Sequence, residues 1–323
     1  MKIDYLKGFL ICFFNINKIV KEINKKENIN ENNLLFSFKN NYDINNYKNF
    51  SEEFLKNIID RKNKDSTSKG LISFIIKTFH KELNTNTATN NEYNININIE
   101  DKLEVKKMLE HCFNIFKENI SVISDLLFNF IKQTIECLDC HSKFYNFGIC
   151  YIFNYSLLDI YNYINNNNYS NQYKIMNNIN KISVQDCFKY FQRNKNINKF
   201  EYFKCINCSN NTNFNFTNNL YSTTQYLFIS LSYNNAQIQN MQFEISENID
   251  LDNFNTTIKY ELYGIVGLLN ENDKNGFIAY CKNDKSIKWD YYYDGKVTTI
   301  NSFDEDIKNK CKPYFLKYKK IKE

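Results

Sequence analysis

The chain has 323 residues, 43% hydrophobic and 16% aromatic, enough to bury one large core or two smaller ones, which excludes a disordered or fibrous class. Its formal net charge of +5 is spread along the sequence without a basic block, so direct nucleic-acid binding has no support. No apolar run reaches the length of a membrane span.

Met1 to Val20 is the most apolar stretch, but Asp4, Lys7, Asn15, Asn17 and Lys18 interrupt it and no small-residue cleavage site follows. It reads as a buried helix rather than a signal peptide, with the helical pattern running from Tyr5 to Ile23. Glu53 to Ile59 is the next helix. Leu71, Ile72, Ile75, Ile76, Phe79 and Leu83 then recur at three-to-four-residue spacing, which predicts an amphipathic helix. Asn84 to Asn98 is a polar insertion, and Lys102 to Phe116 is a further helical candidate. From there the pattern turns to strands: Phe144 to Tyr155, Tyr221 to Tyr233 and Lys259 to Val266 are rich in aromatic and branched residues. Asn162 to Asn180 and Ser209 to Asn219 read as asparagine-rich surface loops. Helices first and strands later predict an α+β fold without internal repeats. Asparagine, lysine and isoleucine are over-used while proline occurs once and glycine seven times, a bias that blurs turn signals.

Two Cys-x-x-Cys pairs, Cys137/Cys140 and Cys205/Cys208, are the strongest chemical signal. Two such knuckles supply the four thiolates that zinc (Zn²⁺) takes in a closed structural site. The alternative is a set of ordinary reduced, partly buried thiols. The other six cysteines, Cys12, Cys112, Cys150, Cys187, Cys281 and Cys311, sit singly, as expected in a reducing cytoplasmic or nuclear setting.

Around these pairs, segments over nearly the whole chain resemble, in order, the ubiquitin-specific protease family of cysteine deubiquitinases. The helix Leu71 to Leu83 with His80 resembles the family's Phe-Leu-x-x-Leu-Leu-x-x-Leu-His segment, and Asp125 to Cys140 its Asp-Leu-Phe strand leading into the first knuckle. Asp186, Cys187 and Phe188 resemble its Asp-Cys-Leu helix. Tyr226, Leu227, Ile229, Leu231 and Tyr233 resemble its buried strand, with Ser232-Tyr233 where Arg-Phe is usual. Tyr260 to Val266, Ile278 to Lys282, Trp289, Asp294, Val297 and Pro313 to Tyr318 resemble its C-terminal catalytic half. The resemblance implies a papain-like single domain over 1–323: a helical thumb (1–120), zinc-tipped β fingers and the start of the palm (121–258), and the rest of the palm (259–323).

Family members use a Cys nucleophile, a His base after a glycine pair, and an Asp or Asn that orients the His. The opening Gly-Asn-Thr-Cys motif can be laid on this chain with Asp4 or Cys12 in the nucleophile slot. With Asp4 there, Tyr5, Leu6, Phe9, Leu10 and Phe13 fall on buried positions, and Asn15, Ile16 and Ile19 match the Asn-x-Pro-x-Leu that follows. With Cys12 there, Asn17, Lys18 and Lys21 occupy core positions, against the helix pattern. The Asp4 register is favoured, and Cys12 then becomes a buried helix residue. Gly-Gly-His-Tyr-x-Ala-Tyr reads here as Lys274, Asn275, Gly276, Phe277, Ile278, Ala279, Tyr280, which puts Gly276 in the base slot. The third slot falls on Tyr293, with Asp294 next to it as a fallback acid. The oxyanion-stabilising Asn of the family corresponds to Lys2.

Isopeptide cleavage needs a thiolate and a base that makes it available. Aspartate at 4 and glycine at 276 supply neither. His80 sits on a structural helix, His111 on another, and His141 directly follows the first knuckle, where it is a spare zinc ligand at most. The expectation is an inactive family member that binds ubiquitin, a ubiquitinated protein or a multiprotein complex. The alternatives are an active deubiquitinase with Cys12 as nucleophile, a relative of the family's inactive splicing-associated branch, and a decaying or N-terminally truncated sequence. The zinc pairs count against the splicing branch, and an upstream segment would not turn Gly276 into histidine.

Overall fold

A computed structural model describes residues 2–41, 50, 52–61, 68–84, 120–169, 181–197, 204–210, 213–233, 241–252, 257–271, 274–283, 288–301 and 311–321. The helical candidate Lys102 to Phe116, with His111 and Cys112, and most of the Asn84 to Asn98 insertion lie outside them. Among the described residues no helix is long and apolar enough to cross a membrane.

Among the described residues five helices come first: α1 (Lys2–Phe14), α2 (Asn17–Lys25), α3 (Leu34–Asn41), α4 (Glu52–Arg61) and α5 (Ser68–Glu82). α1 buries Leu6, Phe9, Leu10, Cys12 and Phe13 completely, so it is a core helix. The helix expected over Tyr5 to Ile23 is in fact two. Ile16 adopts an extended conformation (φ −82°, ψ 94°) and its N–H reaches back to the Phe13 carbonyl at 3.2 Å, ending the α ladder. The buried ammonium of Lys317 occupies the break, donating to the Cys12 carbonyl at 3.0 Å and to Asn15 Oδ1 at 2.8 Å. A cation there satisfies orphan acceptors at the negative end of the helix dipole. The stripe on α5 behaves as its spacing predicts, with Ile75, Ile76 and Phe79 fully buried. At its end Glu82 accepts the N–H groups of Leu34 and Leu35 at 2.9 and 2.8 Å, capping α3.

A short helix, α6 (Val122–Leu127), precedes the first strand. Asp125 therefore lies in a helix, not in the expected strand. Ser121 caps it through a capping box with Ser124. The strand begins only at Asn129. β1 (Asn129–Cys137) pairs with β2 (Lys143–Cys150) and β6 (Phe214–Ser222), and β5 (Lys195–Ile197) adds to β6, giving a four-stranded sheet ordered β2-β1-β6-β5. Phe214 to Asn219, expected in a loop, belongs to β6. Phe214, Phe216 and Leu220 alternate on one face, and that period of two outweighs the asparagines between them.

Among the described residues the main sheet has eight strands. β3 (Phe153–Ser156), β7 (Tyr226–Ser232), β14 (Cys311–Lys320), β10 (Thr257–Glu271), β11 (Lys274–Lys282), β12 (Trp289–Tyr293) and β13 (Lys296–Ile300) lie side by side, and β9 (Asn248–Asp252) also pairs with β10. The expected strand Phe144 to Tyr155 is thus split between β2 and β3, which belong to different sheets. α7 (Leu157–Tyr169) follows β3, so Asn162 to Tyr169 of the expected asparagine loop are helical, and residues 170–180 lie outside the described set. β4 (Lys181–Ser183) pairs in parallel with β8 (Gln242–Glu244), and α8 (Val184–Gln192) carries Asp186, Cys187 and Phe188.

The large sheet separates two apolar cores. Every residue of β7 is buried; Tyr226 and Phe228 face the helices α1–α6, while Leu227, Ile229 and Leu231 face α7, α8 and β9. A third, small cluster of Cys137, Cys205 and Phe214 sits at the far end of the four-stranded sheet. The result is an α+β protein in which α1–α6 lie over one face of the main sheet and α7 and α8 over the other.

Candidate functional site

Two places concentrate chemistry-bearing residues: the tip of the four-stranded sheet and the seam where α1 lies on β11 and β10.

At the tip, the β1–β6 register sets Cys137 opposite Phe214 and brings the two knuckles together. Each knuckle folds alike. The N–H of His141 bonds the Cys137 carbonyl at 2.9 Å and that of Ser209 bonds the Cys205 carbonyl at 2.8 Å. His141 (φ 57°) and Ser209 (φ 58°) both take the left-handed conformation that turns the chain just past each second cysteine. The four sulfurs lie within 4.8 Å of one another. Cys140 Sγ is 3.6 Å from Cys205 Sγ, and Cys137 Sγ is 3.8 Å from Cys208 Sγ. Zn–S bonds of about 2.3 Å require tetrahedral sulfur–sulfur edges of about 3.8 Å. These residues therefore fit a closed tetrathiolate metal site. His141 is not part of the cluster; its imidazole points outward, 3.4 Å from the Glu136 carboxylate.

At the seam, Gly8 permits close contact: a Cβ there would sit 2.7 Å from Val266 Cγ1. α1 contributes Asp4, Lys7 and Ile11 to a cavity of about 130 Å³, β11 contributes Phe277 and Ala279, and β12 with β13 contribute Tyr292, Tyr293 and Lys296. Asp294 (φ 48°) and Gly295 (φ 71°) form the two-residue turn between β12 and β13 and close the rim. Asp4 is exposed, whereas Tyr5 beside it is buried, its ring 5.4 Å from that of Phe277. Burial raises the Tyr5 phenol far above its ordinary value. Gly276 lies against Tyr293, and a Cβ on it would stand 3.0 Å from Tyr293 Cε2. Asp4 and Tyr293 thus share one cleft, and Gly276 packs on Tyr293. Carboxylates, ammoniums and phenols line this cleft; among the described residues neither a thiol nor an imidazole does.

Cys12 lies elsewhere. It is fully buried two turns further along α1, 3.4 Å from Cys281 Sγ. Burial pushes its thiol well above the usual cysteine range. The Ile265 and Tyr280 carbonyls, at 3.8 and 3.9 Å, are its other close polar neighbours. His80 is distant from this group in its contacts, bonding Ser121 Oγ through Nδ1 at 2.7 Å and packing on Phe128. Asn17, Lys18 and Lys21, which a Cys12 register would bury, are exposed. Sequence reasoning missed the grouping of Cys12, Cys281 and Lys317, because a lysine at an alternating strand position ordinarily reads as a solvent face.

The chain matches the family described as ubiquitin carboxyl-terminal hydrolase over residues 2–318. Among solved structures it resembles a chain of the SAGA DUB module Ubp8/Sgf11/Sus1/Sgf73 bound to monoubiquitin, with 13% identity and a TM-score of 0.61, covering 99% of this chain and 67% of that one. It also resembles a chain of the yeast SAGA DUB module carrying an Sgf73 mutant, with 15% identity, a TM-score of 0.57, and the same 99% and 67% coverage. At such identities the likeness speaks for the fold.

Proposed function

This chain belongs to the ubiquitin carboxyl-terminal hydrolase family, with the ubiquitin-specific protease type of fold, and we propose that it is a catalytically inactive member that works by binding ubiquitin or a ubiquitinated protein. One observation carries the reading. Among the described residues, the cleft that holds Asp4 and Tyr293 has no thiol to attack an isopeptide carbonyl and no imidazole to take a proton. In this reading Asp4 stands in the nucleophile slot, Gly276 in the base slot and Tyr293 in the third. Asp294 is an acid with no imidazole to orient. The tyrosine ring occupies the space into which a side chain at 276 would grow, so the loss is mutual. Cys12 is a poor substitute nucleophile, because its thiol is enclosed, held protonated by burial and has no base in contact.

Cys137, Cys140, Cys205 and Cys208 are proposed to hold a structural Zn²⁺ that fixes the finger tip; when bound, the metal supplies cross-linking and no chemistry. The helices of 1–120 act as a thumb, 121–258 as fingers and the start of the palm, and 259–323 as the rest of the palm. The solved modules it resembles are multiprotein and one is bound to monoubiquitin, which supports ubiquitin or a multiprotein complex as partner. All nine described cysteines are free thiols, in keeping with a cytoplasmic or nuclear setting.

Incubation with a ubiquitin vinyl-electrophile probe, beside a fluorescence titration with unmodified ubiquitin, tests the proposal. Saturable binding without covalent labelling is expected. Labelling of Cys12 would overturn inactivity, and absence of both signals would overturn ubiquitin as the partner.

A further inference from the structure

We propose that Cys12 and Cys281 form a covalent cross-linking site, oxidised by a hydroperoxide to an internal disulfide that fastens α1 to β11. Their sulfurs lie 3.4 Å apart, both fully buried, across 269 positions of sequence. A disulfide needs about 2.05 Å, so the sulfurs must approach by about 1.4 Å, a shift that two side-chain rotations can share. Gly264 makes the arrangement possible. It pairs with Cys281 across the β10–β11 ladder, and Cys12 Sγ lies 3.3 Å from the point its Cβ would occupy. Any side chain at 264 would push the Cys12 sulfur away.

Lys317 supplies the electrostatics. Its Cε lies 3.2 Å from that same point and its ammonium bonds the Cys12 carbonyl, so a fixed positive charge sits beside the two thiols. That charge opposes the effect of burial; Cys12 nonetheless stays protonated, and Cys281, held below the ordinary cysteine value, is the attacking thiolate. The cavity at the seam is lined by Ile11, adjacent to Cys12, and by Ala279, on the same face of β11 as Cys281. Hydrogen peroxide is small enough to enter that cavity.

The chemistry balances with the peroxide as the named oxidant. One thiolate attacks a peroxide oxygen, the O–O bond breaks, and a sulfenic acid and hydroxide result; the hydroxide takes up the proton that the thiol released. The second sulfur then attacks the sulfenic sulfur, the S–S bond forms, the S–O bond breaks, and the departing hydroxide leaves as water with the second thiol's proton. Two thiols and one peroxide give one disulfide and two waters. The sulfurs lose two electrons and the peroxide gains them.

The test treats the zinc-supplemented full-length protein with hydrogen peroxide, blocks remaining thiols with N-ethylmaleimide under denaturing conditions, and maps peptides without reduction. The expected product is a Cys12–Cys281 cross-linked peptide, about 2 Da lighter than the two free peptides together because two hydrogens have left, and split again by dithiothreitol. Mapping separates it from any oxidation of the knuckle cysteines. Oxidised protein should also melt at a higher temperature, since the bond closes a very long loop, and Cys281→Ala should abolish that rise. Recovery of Cys12 and Cys281 as maleimide adducts, or as separate sulfinic acids, overturns the proposal. If Cys281→Ala fails to fold, the peptide map of the unaltered protein decides alone.

Discussion

The finger tip and the seam cleft are built from the same kind of material, a few functional side chains on a sheet, yet they differ in what those side chains can do. At the tip all four sulfurs converge to distances that suit a metal. At the cleft the packing is intact, with Phe9, Leu10 and Phe13 buried and α1 seated on β10 through Gly8, while the residues proposed for the reactive slots are Asp4, Gly276 and Tyr293. A metal site contributes to folding directly, so losing it costs the structure. A nucleophile at an exposed helix start contributes nothing to the core. Replacing one would leave the scaffold standing.

The largest effect that could break this contrast is loss of one knuckle ligand. Structural Zn²⁺ sites carry apparent binding free energies of about 10–16 kcal/mol, so Cys205→Ser should release the metal and loosen the finger sheet. Metal analysis with hydrogen exchange over β1 and β6 reads it, and unchanged metal content would end the zinc assignment. Next comes restoration of the cleft. Asp4→Cys with Gly276→His and Tyr293→Asp should react with the ubiquitin electrophile on the order of 10²–10⁴ times faster than Asp4→Cys alone, the usual worth of a positioned base. Equal rates would mean that Gly276 and Tyr293 do not occupy the base and third slots.

Comparable in size is truncation beneath the cleft. Phe9 packs on Phe13, Phe228 and Phe315, so Phe9→Ala should lower stability by about 3–5 kcal/mol. Urea denaturation should show it, with no change in metal content.

The smallest effect is a pH dependence. Burial holds the His80 imidazole below its ordinary value, so the folded chain favours the neutral ring. As pH falls below about 6.5, the unfolded value, the unfolded chain takes up protons that the folded chain resists, and stability declines. Above that pH the contribution is fully present. His80→Gln should flatten the decline in denaturation midpoint between neutral and mildly acidic pH; an unchanged slope would assign it to other groups.

Much of this was legible beforehand where spacing carries the information. Leu71 to Leu83 declared a helix by its period and the four cysteines declared a cluster by theirs; motif order names Asp4, Gly276 and Tyr293 as the reactive slots, which the triple replacement above tests. Composition misled elsewhere. Leu157, Ile160, Tyr161 and Ile164 carry helical spacing into the asparagine run of α7, and Phe214, Phe216 and Leu220 carry strand spacing into β6. In a chain that uses asparagine everywhere, asparagine no longer marks a loop. The break at Ile16 had no local signature, because what ends α1 is Lys317, a residue near the opposite terminus.

The knuckles also bear on how this chain can change length. Cys140 and Cys205 are 65 positions apart, and the asparagine-rich stretch from 162 to 180 lies between them. Closing a loop costs entropy that grows only logarithmically, about 0.6 kcal/mol for each doubling. With β1 and β6 already paired at its base, a metal at the tip is nearly indifferent to what accumulates in between. The chain can absorb long polar insertions between the knuckles while the strands that carry them stay in register.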